Sequence, residues 1–529
     1  MSGYRADARS ADHAASGLAL AALLALAVAV RLFFYTGFFG SDELTYVESA
    51  LRIAAGDFTP SSYIGAIRYG LQLPMAGFAA LFGPSESALN LWPFLCSITE
   101  VALVATLGRH LVGTRAALIA GLVLAVLPLH VHFAGRLMAD APLALCLSAS
   151  FLLFWRGQQR DSTPTFLLAG LAAGLSFWVK EVTTLYLAVF LAYPLLFRCW
   201  NWKWLWMLGG FALMVGANLL LFFVLTGDPL YVLRIAGSAA ADYAASSGRF
   251  AGVANDSAAT YYLDYFFLKV YHSWLLGPLA LLGLACLWRQ RSDAAGSGGR
   301  FVALWAIGLL ALFSLLPVSL HPLKLISKQV NYMLMFAAPL ALLAAVFISR
   351  LRGAALGMAL VLIVLPSLLL GALERNTVAV FTANAKGAVE LARKLKAEDQ
   401  VYGPVSAEKA AYFDSMVRPG GDPVKILLLA DLREAKIQPA PGRGIIAIVD
   451  PTPSSPEGSA VPACWQPLGP LQAVTETRLS GLFHAMARAA GLLPGSLGSK
   501  MAGKLTELVE PAPAQVYRIP DASKVRCPG

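Results

Sequence analysis

The stretch KWLWMLGGFALMVGANLLLFFVLT, residues 203–226, carries a single charge, Lys203, at its first position and is otherwise almost wholly apolar. A helix rises 1.5 Å per residue, so about 20 such residues cross roughly 30 Å of hydrocarbon. Working outward, further apolar runs fall near 17–36, 87–107, 116–133, 138–156, 165–179, 182–197, 268–288, 300–317, 331–349 and 355–373. Together they predict a mainly α chain, a bundle of about eleven transmembrane helices. The run 69–83, with Pro74 and glycines at 70, 77 and 83, reads as a short span, a re-entrant piece or a juxtamembrane helix. Composition agrees, since 57% of the 529 residues are hydrophobic and 14% charged, with mean hydropathy +0.64. A soluble fold cannot hide that much apolar surface.

The net charge of +10 does not indicate nucleic acid, because the basic residues sit in short loops between apolar runs rather than along one face. Arg5/Arg9, Arg109/Arg115, Arg156/Arg160, Arg198/Lys203, Arg289/Arg291/Arg300 and Arg350/Arg352 all fall on one side of an eleven-helix chain. That side is expected to be cytoplasmic, with the N-terminus; a span at 69–83 would break the alternation. The first run follows Arg5 and Arg9, but it is long for a signal peptide and more spans follow, so it reads as a retained helix. Cys96, Cys146, Cys199 and Cys286 lie in or beside apolar runs without metal-ligand spacing. Cys464 and Cys527 lie in the polar tail on the outer side, where a disulfide persists, and are expected to pair.

Two domains follow: residues 1–373 as the transmembrane catalytic domain and 374–529 as a soluble extracytoplasmic α/β domain. In the second, the pattern predicts helices over Ala385–Lys396 and Ala407–Phe413 and strands over Val401–Gly403 and Ile445–Val449, with loops dense between Pro451 and Pro470. Residues 292–299 read as a flexible cytoplasmic loop, and no internal repeat is evident.

Four polar clusters fall on the outer face. The first is Ser41-Asp42-Glu43, leading into TYVESALRIAAGDF, which reads as an interfacial amphipathic helix. Asp42 could simply cap that helix and Glu43 occupy its first turn. The second is Arg136 to Pro142, where Asp140 is either a helix cap or a functional carboxylate. Third, Lys180-Glu181 interrupts an apolar stretch, as a local ion pair or as charges facing a polar cavity. The fourth runs from His321 through Lys324, Lys328 and Asn331 to Tyr332; outer-side lysines run against the usual bias and ask for an anion. Carboxylates can take a proton from an acceptor hydroxyl and cations can hold a departing phosphate, which are the two needs of sugar transfer from a lipid phosphate. No cofactor is expected and no metal-ligand spacing is visible, though a divalent ion could supply the same charge as the cations.

The order and wording of these segments resemble the GT-C superfamily of polyprenyl-phosphate-sugar-dependent glycosyltransferases, in its protein O-mannosyltransferase and lipid A aminoarabinose transferase branch. The resemblance covers nearly the whole membrane region. Gly40-Ser41-Asp42-Glu43 with Tyr46 and Gly56-Asp57 is similar to the first-loop acidic motif, which implies Asp42 as catalytic base with Glu43 beside it. Arg136 to Leu143 resembles the second outer-loop aspartate motif and marks Asp140. Gly174 to Lys180 resembles a segment with a donor-contacting lysine, Gly227-Asp228-Pro229 a following loop, and Lys328 to Tyr332 with Pro339 a basic-Tyr-Pro motif. The implied donor-phosphate ligands are Arg68, Arg136, Lys180 and Lys328. Two positions depart from the pattern: Arg68 stands where a Glu-Lys-Pro is usual, and Glu181 where glycine is common.

The resemblance implies a glycosyltransferase of GT-C type in the cytoplasmic membrane. Its expected partners are a polyprenyl-phosphate-linked sugar, an acceptor that is a glycolipid, polysaccharide or protein, and membrane lipids. A transporter or flippase would share the many spans and the intramembrane charges, but the absence of an inverted repeat and the clustering of charge at one face weigh against it. A scaffold without catalysis is the third reading.

Overall fold

A computed structural model describes residues 2–245, 258–269, 271–289, 295–321, 323–395, 399–418, 423–440, 442–451 and 461–525. The chain forms two compact units. One comprises 1–35, 52–78 and 89–371; the other comprises 36–51, 79–88 and 372–529.

The first unit is a helix bundle. Among the described residues, five helical stretches are long and apolar enough to cross a membrane, or six if a bent pair counts as one span. The chain is therefore a multi-pass membrane protein. Every apolar run of the sequence becomes helix, but several are shorter than the runs themselves, for local reasons. The run 116–133 breaks at Leu127, whose extended backbone precedes Pro128, and its halves Thr114–Val126 and Pro128–Ala134 bend by 60°. The run 182–197 opens as a 3-10 turn, Glu181–Tyr186, before the helix Leu187–Phe197. The run 331–349 likewise begins as a 3-10 turn, Val330–Phe336, and continues as Ala337–Ile348. The run 268–288 is helical only from Leu276 to Arg289, after Trp274 takes a left-handed backbone. The ambiguous run forms a 14-residue helix, Tyr69–Phe82.

Small residues let the helices approach closely. The helices Thr163–Val179 and Leu205–Thr226 meet at Gly170 and Gly210; a Cβ at Gly170 would lie 2.0 Å from the Met207 carbonyl oxygen, and one at Gly210 2.4 Å from that of Leu167. Between the helices Asp140–Arg160, Leu187–Phe197 and Ala295–Leu315 the contact is aromatic instead. Phe151 stacks on Phe190 at 4.3 Å and on Trp305 at 4.8 Å. Residues 295–299 of the expected flexible loop are helical, while 292–294 lie outside the described residues. A short antiparallel hairpin, β1 (Pro317–Leu320) with β2 (Leu323–Leu325), leads into the Lys328–Tyr332 segment.

The second unit holds a mixed sheet of β3 (Asp399–Gly403), β4 (Ile426–Leu428), β5 (Gly444–Val449), β6 (Gln466–Pro470) and β7 (Gln515–Ile519), in the order β4-β3-β5-β7-β6. β3 pairs in parallel with β4 and β5, and β7 antiparallel with β5 and β6. Tyr402, Ile445, Ala447, Val449, Trp465 and Ile519 form its apolar core with Leu429 and Leu432. The expected helix Ala385–Lys396 is not separate. Residues 353–394 form one 42-residue helix that continues from the last apolar run, because no proline or turn signal intervenes between Leu373 and Ala385; Lys396 lies outside the described residues. Cys464 is disulfide-bonded, and its expected partner Cys527 lies outside the described residues.

Candidate active site

In the helix bundle, Asp140 opens the helix Asp140–Arg160, whose N-cap, Ala139, has no side-chain cap. The Asp140 carboxylate does not turn back to cap the helix. Its Oδ1 accepts hydrogen bonds from Lys180 Nζ at 2.9 Å and Asn331 Nδ2 at 3.1 Å. Lys180 is delivered by the end of the helix Thr163–Val179, where the backbone turns extended at that residue. Both partners are buried, Asp140 at 2% and Lys180 at 3% exposure. The second oxygen, Oδ2, is buried without a hydrogen-bond partner among the described residues. The Lys180 ammonium also sits 4.2 Å from the centroid of the Tyr332 ring, a cation–π contact.

Lys180 and Glu181 therefore do not form a local pair. Lys180 turns to Asp140, while Glu181 lies 3.9 Å from Arg68. The two positions that depart from the GT-C pattern thus face each other, and Glu181 is next in the chain to Lys180. Arg136 is buried with its guanidinium 5.8 Å from the Phe133 ring, and Lys328, fully buried, donates to the Ile326 carbonyl at 3.3 Å.

A second polar assembly in this unit was not read from the sequence. Arg31 donates from Nε to Ser97 Oγ at 2.8 Å and from Nη2 to His130 Nδ1 at 2.6 Å. With Nδ1 accepting, His130 carries its proton on Nε2 and donates to Glu100 at 3.0 Å, and Ser148 Oγ donates to the same carboxylate at 2.6 Å. The signal available was a lone Arg31 and a lone Glu100, each within an apolar run. The network ties the helix Pro128–Ala134 and the helix Asp140–Arg160 to one carboxylate, and so braces both flanks of the turn that carries Arg136.

In the other unit, the acidic pair splits into two environments. The helix Glu43–Ala54 begins at Glu43, which is fully buried, and its Oε2 accepts from the backbone N–H groups of Gly40 at 3.1 Å and Ser41 at 3.0 Å. This folds the loop back on the helix start, with Gly40 at φ +93°, a conformation other residues rarely adopt. Asp42 is exposed. Lys409 Nζ, from the helix Val405–Val417, donates to the Gly40 carbonyl at 3.1 Å and holds the same loop. Downstream, back in the first unit, Arg52 donates to Asp57 and the Thr59 N–H does likewise, and Asp57 titrates near pH 2, chiefly through the Thr59 bonds and then Arg52. Among the described residues, no group of three or more His, Cys, Asp or Glu side chains could hold a metal ion.

Residues 71–222 match the family model described as dolichyl-phosphate-mannose-protein mannosyltransferase. An undecaprenyl phosphate-alpha-4-amino-4-deoxy-L-arabinose arabinosyl transferase from Edwardsiella ictaluri is 29% identical over 333 residues, which cover 59% of this chain and 56% of that relative. The match thus spans little more than half of the relative's length. The crystal structure of apo ArnT from Cupriavidus metallidurans superposes with a TM-score of 0.54 at 19% identity, covering 83% of this chain and 94% of that one. The same protein bound to undecaprenyl phosphate gives 0.53 at 19%, covering 82% and 92%. At that identity the likeness establishes the fold.

Proposed function

We propose that this membrane protein of the GT-C fold is a glycosyltransferase that moves one sugar from a polyprenyl phosphate carrier to an acceptor at the outer face of the cytoplasmic membrane. The observation that carries this reading is the Asp140–Lys180–Asn331 cluster, an ion pair buried within a membrane helix bundle. Charge in such a place is expensive and is retained where it serves a ligand. The fold is the one in which a solved relative holds undecaprenyl phosphate.

In this mechanism the exposed Asp42 takes the proton of the acceptor hydroxyl. The freed oxygen attacks the anomeric carbon from the face opposite the phosphate, the carbon–oxygen bond to the phosphate breaks, and the anomeric configuration inverts. The leaving lipid phosphate gains charge as it departs, and Lys180, Arg68, Arg136 and Lys328 stabilise it. Asp140 holds the Lys180 ammonium in place, and Glu43 shapes the loop that presents Asp42. The topology proposed is eleven spans with a cytoplasmic N-terminus, a catalytic domain over 1–373 and an extracytoplasmic α/β domain over 374–529. Right-side-out membrane vesicles from cells with and without the chain, given radiolabelled undecaprenyl-phosphate sugars, test the reading. Label should pass into a lipid, glycan or protein fraction only when the chain is present; inserted protein that transfers no donor contradicts it.

A further inference from the structure

Two helices of the second unit, Ser480–Gly491 and Ser496–Glu507, form a hairpin joined by the turn Leu492-Leu493-Pro494-Gly495. The turn is tightly built. Gly495 takes φ +83°, and a Cβ at Gly498 would lie 2.4 Å from the Leu493 carbonyl oxygen and 2.7 Å from that of Ala490, so the second helix starts directly against the turn. The first helix packs inward through Phe483, Ala487 and Ala490, at i, i+4, i+7 spacing.

That packing leaves a second apolar stripe on each helix. Leu482, Met486, Ala489 and Leu493 recur at i, i+4, i+7, i+11, and Leu497, Met501, Leu505 and Leu508 at i, i+4, i+8, i+11. Both stripes run to the turn, where Leu492 is 87% exposed, Leu493 48% and Leu497 66%. Leucines grouped and bared in this way are costly in water and mark a surface that meets something apolar.

The charges bordering the stripes indicate lipid. From Thr477 to Thr506 the chain has no acidic residue, and it carries Arg478, Arg488, Lys500 and Lys504. Lys500 and Lys504, three and seven residues past Leu497, flank the leucine stripe, and with Arg488 they are exposed. The first acid to follow, Glu507, closes the second helix at the end away from the turn. Glu476 and Glu510 lie 3.7 Å from Arg375 and from His484 respectively. A leucine tip with a basic fringe is complementary to a bilayer surface bearing anionic lipid, because the leucines enter the acyl boundary while the Lys and Arg stems reach back to the phosphates. The unit is also kept near a bilayer by its own chain, since its main segment starts at residue 372 within the helix Gly353–Lys394, which carries the apolar run 355–373.

We infer that the hairpin 480–507 docks on an anionic lipid surface, with Leu492, Leu493 and Leu497 inserted and Arg488, Lys500 and Lys504 at the headgroups. The second unit is then held to the membrane by two elements, the span that leads into it and this tip. Docking needs neither donor nor acceptor, so it is tested independently of sugar transfer.

Full-length protein carrying the photo-crosslinker p-benzoylphenylalanine is placed in nanodiscs of phosphatidylglycerol and phosphatidylethanolamine, irradiated and digested, and the adducts are identified by mass spectrometry. Leu492→p-benzoylphenylalanine should yield mainly lipid adducts. Ser499→p-benzoylphenylalanine, about 200° around the helix from Leu497, should yield few. Both positions are exposed, so the label disturbs no packing. In discs of phosphatidylcholine alone the Leu492 adduct should fall by about fivefold or more, and Lys500→Gln with Lys504→Gln should lower it as far in the anionic discs, since each cation near an anionic surface is worth about that factor. Leu492 adducts with a second copy of the chain, or with the chain's own residues, would assign the tip to a protein contact instead. Equal lipid adducts at positions 492 and 499, or yields that ignore lipid charge, would also overturn the assignment.

Discussion

Replacing Lys180 with methionine removes one half of an ion pair that is buried on both sides, at 4% and 2% side-chain exposure, and joined at 2.9 Å. The methionine keeps most of the stem volume, so packing is nearly conserved. What remains is an Asp140 carboxylate with one hydrogen bond, from Asn331, and one oxygen that already lacks a partner. Removing one member of a buried pair costs about 3–5 kcal/mol, most of it the stranded charge. The chain carries its own control in Lys203–Asp161, whose side chains are 39% and 64% exposed. Lys203→Met should cost about 1 kcal/mol or less. Removing both buried partners, as Lys180→Met with Asp140→Leu, should recover most of the loss, because two well-packed apolar side chains replace a buried pair at little cost. Reversible denaturation in mixed detergent micelles, read by tryptophan fluorescence, gives the three values. If Lys180→Met and Lys203→Met are equally mild, the Asp140–Lys180 pair is solvated and the reasoning that makes it a functional charge fails.

Gly170→Ala should destabilise by about 1–3 kcal/mol, since the new Cβ meets the Met207 backbone, whereas Gly209→Ala, which meets nothing within 4 Å, should be near neutral in the same denaturation assay. Asp57 titrates near pH 2, below its unfolded value near 3.9, so its contribution to stability is present above about pH 4 and is lost as pH falls toward 2. Asp57→Asn should therefore flatten the change in stability between those pH values, and an unchanged acid limb would refute that assignment. Glu43→Ala removes the acceptor for the Gly40 and Ser41 N–H groups. Hydrogen bonds to a charged group contribute about 1.5–3 kcal/mol each, so the loop should loosen, measured as faster amide exchange at residues 40–46.

Apolar runs were the legible part of the fold because a bilayer demands long unbroken hydrophobicity, and Lys203 to Thr226 states it in one line. The breaks were less legible. Pro128 announces its kink, but no proline or glycine marks the 3-10 openings at Glu181 and Val330. Strands β3 and β5 were readable as short apolar runs. β6, with two prolines and a glycine in QPLGP, gave no strand signal and is held in place by pairing with β7. In the site, the charges themselves were visible, since Asp140, Lys180 and Glu181 interrupt apolar sequence. Their partners were not: the bonds from Lys180 to Asp140 and from Asn331 to Asp140 join residues far apart in the chain. The same is true of Arg31, His130 and Glu100, which come from three separate helices and become one network only on packing.

The most direct measurement compares wild type with Asp42→Asn in proteoliposomes loaded with a radiolabelled undecaprenyl-phosphate sugar and the acceptor fraction that wild type labels. The substitution changes one exposed side chain and leaves the Glu43 loop contacts in place, so folding should be unaffected. The account predicts transfer by wild type and its loss, by at least about a hundredfold, in the variant, since a positioned base contributes about 10²–10⁴ in rate. Equal transfer by both proteins would show that Asp42 is not the base and would contradict the mechanism.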